Sequence, residues 1–507
     1  MDSFLLAVVS GLLLALTLPR PGLCALGWVG LAPLVLVAAR ASRRRAFLLG
    51  WVAGAAFHGL AFYWLYSTCR FARVPIPIAI LAWLALAAFQ GLAWGLFALL
   101  GRHAAEALPA PSRAFGWALA WTAVAVVCER WTPRLPGDLL EYTQWRHLSV
   151  MQAAALTGPH GLGLLIVWVN AGLAKAWDES RGGRGEAPSA SPGLALAVAC
   201  AAAAWSYGAW SLAARPAETE LARVEILQPV VDQYHKWDRT FAREIDDNLQ
   251  ALLDSPRQTA PRLIVWPESA LPRLVDEGES PMEAARWSRA LGASQIVGVV
   301  SQDAEGRDYN SALLLGPDGR LDGRYHKREL VPFGEYVPFP SLRRYIGILN
   351  ELGGITAGAA DQPLLDTPLG KTAVTICYEA VFPRWTRFDA SRGARLIVNI
   401  TNDGWYKDTW GPYQHFNTNV FRAIENRVTV IRSGNTGISA VIDPWGMVLA
   451  RQELGARGRL DADVPLADPF PARSPYARRG DRLGSAALAL AALMLAAAAL
   501  RGETRGV

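Results

Sequence analysis

Three short stretches hold side chains whose types could cooperate in covalent catalysis. The first, Thr375-Ile376-Cys377-Tyr378-Glu379, is a strand-like run entering a turn, which would expose the Cys377 sulfur at the strand's end. A helix N-terminus or a cation beside that sulfur would favour thiolate over thiol and make it a nucleophile. The second, Leu263-Ile264-Val265-Trp266-Pro267-Glu268, is a buried-type strand stopped by a proline, which turns the chain and presents Glu268 as a candidate general base. The third runs from Tyr325 through Lys327 and Glu335 to Pro338, where Lys327 could stabilise an oxyanion and Glu335 could orient it. Each has a plainer reading on its own: Glu268 as a solvated strand-end carboxylate, Lys327 as part of a solvated basic patch, Cys377 as a small buried hydrophobe.

The elements that must position these groups lie between about 220 and 475, where β-rich runs alternate with helical stretches and turn signals in one large α/β domain. Strands are expected at 223–227, 263–266, 295–300, 311–315, 373–377, 396–400, 428–432 and 438–442. Pro317-Asp318-Gly319 and Pro444-Trp445-Gly446 read as hairpin turns. Side chains at the ends of strands in open α/β sheets converge on a crevice. Glu268, Lys327 and Cys377 all fall at such ends.

In that chain order the three residues resemble the Glu-Lys-Cys triad of the nitrilase superfamily. Their settings, Trp266-Pro267-Glu268-Ser269, Lys327 followed by Phe333-Gly334-Glu335-Tyr336-Val337-Pro338, and Ile376-Cys377-Tyr378-Glu379, resemble its apolipoprotein N-acyltransferase branch. Gln228-Pro229 with Lys236-Trp237 is similar to that domain's first strand and substrate-pocket loop. Asn310, the run from Asn399 through Asn402 to Trp405, and Arg432 to Gly437 are similar to its active-site surroundings. The resemblance covers nearly the whole chain, with local variation at Gly404 and Gly434. It implies a catalytic triad of Glu268, Lys327 and Cys377, with Glu335, Tyr378, Glu379, Trp237, Asn310 and Asn402 supporting it or binding substrate. The fold it implies is a nitrilase-like α-β-β-α sandwich inserted between seven N-terminal and one C-terminal transmembrane helices.

The chemistry implied is a two-step transfer. An acyl chain moves from a phospholipid, phosphatidylethanolamine in the family, to Cys377 as a thioester, and then to the α-amine of an apolipoprotein's diacylglyceryl-cysteine. No cofactor or metal is implied, and the expected state is a monomer. Water must be kept from the thioester, and the apolar stretches 345–349 and 405–416 are expected to border lipid entry. Two rivals share the residues: a membrane-tethered nitrilase-type amidase hydrolysing small amides, and a non-catalytic receptor or transporter using the outer domain as a binding module.

Composition fits the membrane setting, since 52% of the 507 residues are hydrophobic and only 19% charged. Apolar runs near the roughly 20 residues needed to span a bilayer lie at 3–19, 24–40, 46–68, 77–101, 113–130, 158–177, 191–213 and 483–500, with Gly158-Pro159 breaking the start of the sixth. This divides the chain into a seven-helix part (1–215), a catalytic domain (220–475) and a last helix (483–500). The opening Met1-Asp2 reads as a retained helix rather than a cleaved leader. The cluster of Arg40 and Arg43 to Arg45 belongs on the cytoplasmic side of a bacterial inner membrane, which puts both termini inside and the catalytic domain in the periplasm. Tryptophans near span ends, such as Trp28, Trp51, Trp177 and Trp210, fit interfacial anchoring. The net charge of +6 forms no basic stripe, so nucleic acid is not an expected partner. With no CxxC pair or HExxH helix, a metal site is not expected. Cys24 and Cys69 fall on one expected membrane side, leaving a disulfide between them open.

Overall fold

The structure is a computed structural model that describes residues 2–132, 135, 138–182, 192–216, 220–271, 273–276, 279–339, 341, 344, 354–465 and 473–503. It divides into two compact units: residues 1–215 with 409–417 and 474–507, and residues 216–408 with 418–473.

The first unit is helical. Ile76–Ala107 and Pro192–Ala213 are each long and apolar enough to cross a membrane. Arg43–Ala61 with Trp64–Phe71, and Leu148–Thr157 with Pro159–Ser180, qualify only as bent pairs, at 50° and 119°. Among the described residues, then, two helices meet this measure, or four spans if each bent pair counts as one. The first expected span stops at Ala15, short of a bilayer's thickness at about 1.5 Å per residue, ahead of Pro19, Pro21 and Gly22. The second splits into a short 3-10 turn, Cys24–Trp28, and the helix Ala32–Arg40.

Where these helices break, amide side chains take up the released backbone groups, as an apolar solvent demands. Buried Asn170 accepts from the N–H groups of Leu31 and Ala32 at 2.8 and 3.0 Å and donates to Gly27 and Ile166 carbonyls. At the 50° bend Gln414 donates to the Ala61 carbonyl and accepts from the Trp64 indole, both at 3.0 Å. Small residues let helices meet closely: a Cβ at Gly50 would lie 2.3 Å from the Trp94 carbonyl oxygen. All five cysteines are free thiols, so the Cys24–Cys69 bridge is not formed.

The second unit is an α/β sandwich. Its strands are β1 (Leu221–Gln228), β2 (Leu263–Val265), β3 (Leu274–Asp276), β4 (Ser294–Gln302), β5 (Asp308–Leu315), β6 (Leu321–His326), β7 (Leu365–Thr367), β8 (Gly370–Ile376), β9 (Leu396–Thr401), β10 (Thr429–Gly434), β11 (Ser439–Ile442), β12 (Val448–Gln452) and β13 (Gly458–Pro465). One sheet runs β13-β1-β2-β4-β5-β6 with β3 also paired to β4, and the other runs β12-β11-β10-β9-β8-β7.

Side chains alternate between the faces of each strand. In β2, Leu263 and Val265 enter the core between the sheets, with Val224, Ile226, Val374, Ile376, Val398 and Ile400. Ile264 and the adjoining Trp266 face the other way, into a cluster with Ile245, Leu249 and Ala284 of the helices Ala242–Asp254 and Met282–Leu291. Burial on both faces explains why this strand reads as an unbroken apolar run. All eight expected strands are present, and both expected turns close hairpins, β5–β6 and β11–β12.

Candidate active site

The topology brings several strand ends to one edge. In the first sheet β2 and β4 run parallel, and β6 regains their direction through antiparallel β5. Glu268 follows β2, Lys327 follows β6, and Asn310 sits near the start of β5 at the same edge. In the second sheet β8 and β9 are parallel, so Cys377 and Asn402 follow neighbouring strand ends.

Glu268 is 7% exposed. Its turn is shaped by Pro267 and by Ser269, which adopts a positive φ of 45°. The backbone passes so close to β4 that a Cβ on Gly298 would lie 2.1 Å from the Pro267 carbonyl oxygen, so only glycine fits there. Lys327 is 1% exposed, with its backbone fixed by Lys327 N to Asn310 O at 2.8 Å and Gly358 N to Lys327 O at 2.7 Å. Its ammonium donates to Glu335 Oε1 at 2.8 Å and lies 3.4 Å from Glu268 Oε1. Asn310 Nδ2 joins the two carboxylates, donating to Glu268 Oε1 at 2.7 Å and Glu335 Oε1 at 3.0 Å. The second Glu335 oxygen accepts from Val331 N at 2.8 Å. Burial works against the charge on Lys327, but the Glu335 and Glu268 carboxylates hold its pKa well above the ordinary lysine value.

Cys377 opens a five-residue 3-10 turn, Cys377–Val381, with φ at +51°. Strain of this kind, roughly 1–3 kcal/mol, persists only where surrounding contacts enforce it. Buried Glu379 does so. One of its oxygens accepts from Ile376 N at 2.6 Å, the other from Arg328 N at 2.5 Å and Glu329 N at 3.2 Å, and the Tyr325 hydroxyl reaches both at 2.8 and 2.9 Å. This carboxylate therefore ties the strand leading to Lys327 to the turn carrying Cys377. Burial raises its pKa to about 7, against the hydrogen bonds from Ile376, Arg328 and Tyr325. Arg328 adds a two-oxygen ion pair to Asp389 at 3.2 and 3.1 Å, and Arg422 donates to the Ala380 and Val381 carbonyls from behind the turn.

Burial pushes the Cys377 thiol up to about 12, with Glu268 and Asp403 adding to the rise and Lys327 and the Thr401 hydroxyl opposing it. This corrects the expectation of a thiolate favoured by a helix start and a cation. The turn is a single 3-10 segment, and desolvation outweighs one ammonium. At neutral pH the Cys377 side chain is therefore a thiol.

The remaining expected residues divide. Tyr378 is 7% exposed and packs edge-on against Phe382 at 5.0 Å between ring centroids. Asn402 braces loops: its amide donates to Gln233 Oε1 at 2.5 Å, and its oxygen accepts from Asn435 Nδ2 at 3.1 Å. Trp237 and Phe333 are about half exposed and Phe339 more so, with Tyr336 and Trp405 also open. The stretch 345–349 lies outside the described residues, while Trp410 stacks edge-on on Tyr63 within the helical unit. Lys236, named from sequence only as part of a pocket-loop resemblance, donates from a buried ammonium to the Glu268 main-chain oxygen at 2.9 Å, and Asp403, inside the resembling run 399–405, pairs with fully buried Arg432 at 2.7 Å. The glycine inside the otherwise β-branched run of β4 was a readable sign of close backbone approach.

A buried thiol coupled to a carboxylate and an ammonium is a set of groups that acyl transfer through sulfur can use. Residues 233–472 match the carbon-nitrogen hydrolase family, and residues 10–172 match the apolipoprotein N-acyltransferase N-terminal domain. The apolipoprotein N-acyltransferase of Geobacter metallireducens is 34% identical over 503 residues, covering 98% of this chain and 95% of that protein. The chain belongs to the apolipoprotein N-acyltransferase family. The enzyme of that name from Caulobacter vibrioides is 32% identical over 94% of this chain and 91% of its own. The crystal structure of Saccharomyces cerevisiae Nit3, a nitrilase-superfamily member, matches 51% of this chain and 94% of its own with a TM-score of 0.39 and 18% identity. The chain is thus a membrane acyltransferase with several apolar helical spans and a nitrilase-like α/β sandwich, acting on an apolipoprotein with an acyl donor.

Proposed function

We propose that the acyl donor is a phospholipid, phosphatidylethanolamine, and that Cys377 carries the acyl group as a thioester to the α-amine of a diacylglyceryl-cysteine. The observation that carries this reading is the group of Glu268, Lys327, Glu335 and Asn310, linked at 2.7 to 3.4 Å, whose buried Glu268 and Lys327 are electrically coupled to Cys377. Glu268 takes the thiol proton as sulfur attacks the ester carbonyl, and Lys327, held by Glu335, stabilises the oxyanion. The C–O bond then breaks, and Glu268 returns the proton to the leaving lysophospholipid oxygen.

In the second step the α-amine, with a pKa near 7.7 to 8.0, is partly neutral at about pH 7 and attacks the thioester. The C–N bond forms, the C–S bond breaks, and the amine proton passes through Glu268 back to sulfur. In this scheme Glu379 and Tyr378 support the nucleophile's turn, Asn310 and Asn402 support the loops, and Trp237 contacts substrate. The open aromatics Trp237, Phe333, Phe339 and Trp405 favour an amphiphilic substrate.

The catalytic domain, 220–475, is proposed to face the periplasm between seven N-terminal spans within 1–215 and a last span at 483–500, as a monomer with both termini cytoplasmic. Two ion pairs and a hydrogen bond support the placement of loops: Arg40 with Asp178, Arg43 with Glu106 at 3.1 Å, and Arg45 donating to the Ser3 hydroxyl at 2.8 Å gather the N-terminus and three expected inner loops at one end of the helical unit. Purified protein given labelled phospholipid and a diacylated peptide should yield a triacylated peptide. Free fatty acid as the sole product would refute the transfer and favour a hydrolase.

A further inference from the structure

A lysine is almost never buried without a paired charge, yet Lys236 is only 3% exposed, and its ammonium rests on a main-chain oxygen, that of Glu268, at 2.9 Å. Its place is set by a rigid loop. Val230 N and Val231 N donate to the Asn435 main-chain and side-chain oxygens at 3.0 and 2.9 Å, Asn435 Nδ2 returns a bond to Val231 O at 2.8 Å, and Lys236 N closes a turn onto Asp232 O at 3.1 Å. An apolar side chain of similar length would fill the same space without desolvating a charge. The charge therefore calls for an explanation of its own.

The groups around the sulfur supply one. Glu268 and Glu335 bring two negative charges and Lys327 one positive. Asp403 is neutralised by Arg432 at 2.7 Å, and Glu379 is engaged by main-chain N–H groups and the Tyr325 hydroxyl. Tyr406 also faces Cys377 but is held neutral, burial keeping its pKa well above the ordinary tyrosine value. On the loop of Lys236 itself, Asp232 pairs with Lys407 at 3.7 Å and His235 stacks on Phe241. Without Lys236 the nucleophile would face an excess negative charge, which opposes thiolate formation.

We propose that Lys236 is a positioning residue of the acylation site, fixing the Glu268 turn through its carbonyl and cancelling the excess carboxylate charge so that the Cys377 proton can leave. The inference rests on the thioester reading above. Proton transfer from Cys377 to Glu268 conserves the total charge, so the balance that Lys236 provides lasts through the step. Burial lowers its pKa to about 8, with Glu268 and Cys377 acting in the opposite sense, so the ammonium form predominates at neutral pH.

The test is the pH profile of Cys377 alkylation by iodoacetamide in the full-length, detergent-solubilised protein, read by peptide mass spectrometry with Cys377→Ala as the blank. Below about pH 8, where the Lys236 ammonium is charged, Lys236→Met should react about tenfold more slowly than wild type, with the gap closing as pH rises further, while Lys236→Arg stays within about threefold of wild type by keeping the charge. A Lys236→Met profile that superimposes on wild type overturns the proposal. So does Lys236→Arg being as slow as Lys236→Met, which would mean that shape and not charge matters. If Lys236→Met unfolds, Lys236→Gln takes its place under the same criteria. Wild-type protein that forms no acyl adduct from phospholipid refutes the thioester reading instead, a failure distinct from an unchanged alkylation profile.

Discussion

Replacing Glu379 with Gln isolates the group that joins the two halves of the site. The carboxylate offers two acceptor oxygens to Ile376 N, Arg328 N, Glu329 N and the Tyr325 hydroxyl. Glutamine keeps one acceptor and places an NH₂ where the other stood. Its better orientation keeps the Arg328 and Glu329 bonds and sets the Ile376 N–H against a donor, at about 1–3 kcal/mol for the stranded group.

Titration supplies a second signature. In the folded protein the Glu379 carboxyl sits at about 7, raised by burial from the ordinary 4.5. Between those values the folded state holds a proton that the unfolded state has lost, so this group's contribution to stability is full below about pH 4.5 and is lost as pH rises through about 7. A rise of this size corresponds to about 3 kcal/mol, or on the order of 6–12 °C in Tm for a unit of this size. Glutamine cannot titrate. Thermal unfolding of solubilised wild type and Glu379→Gln from pH 5 to 8 should show the variant's deficit growing as pH falls, with slower Cys377 alkylation throughout. A deficit independent of pH would refute the reasoning.

Two further substitutions probe the other half of the site. Gly298→Ala puts a Cβ 2.1 Å from the Pro267 carbonyl oxygen and 2.9 Å from Glu268 Cα; overpacking of about 1–3 kcal/mol should lower Tm, and displacement of Glu268 should cut the acylation rate at least about tenfold in single-turnover assays. Asn310→Asp places a third carboxylate where an amide bridges Glu268 and Glu335 at 2.7 and 3.0 Å. Mutual repulsion then protonates one of them near neutral pH, so acylation at pH 7 should fall about 100-fold, the scale of losing a general base.

The sandwich was legible because its central strands, such as Leu263-Ile264-Val265, are buried on both faces and carry that burial as continuous apolar runs. β6 and β12 were not, since their edge positions are largely polar and half open, and β13 finds its place only by pairing with β1 more than two hundred residues away. Glu268, Lys327 and Cys377 could be picked out as strand-end residues of suitable chemistry. The protonation of Cys377 could not, because it depends on how deeply the turn is buried and on carboxylates brought in by other strands. The burial of Lys236 was hidden for the same reason: next to exposed Trp237 it looks like a surface residue until the Asn435 contacts draw its loop inward. In the helical unit, hydropathy located apolar segments but not their bends, which depend on side chains as distant as Gln414.

The most direct test is intact mass spectrometry of the full-length protein after exposure to phospholipid alone, with no acceptor present. The account predicts a single added acyl mass that maps to Cys377, is released by hydroxylamine, and is absent from Cys377→Ala. An adduct on another residue, or an active enzyme with no covalent acyl intermediate, would contradict it.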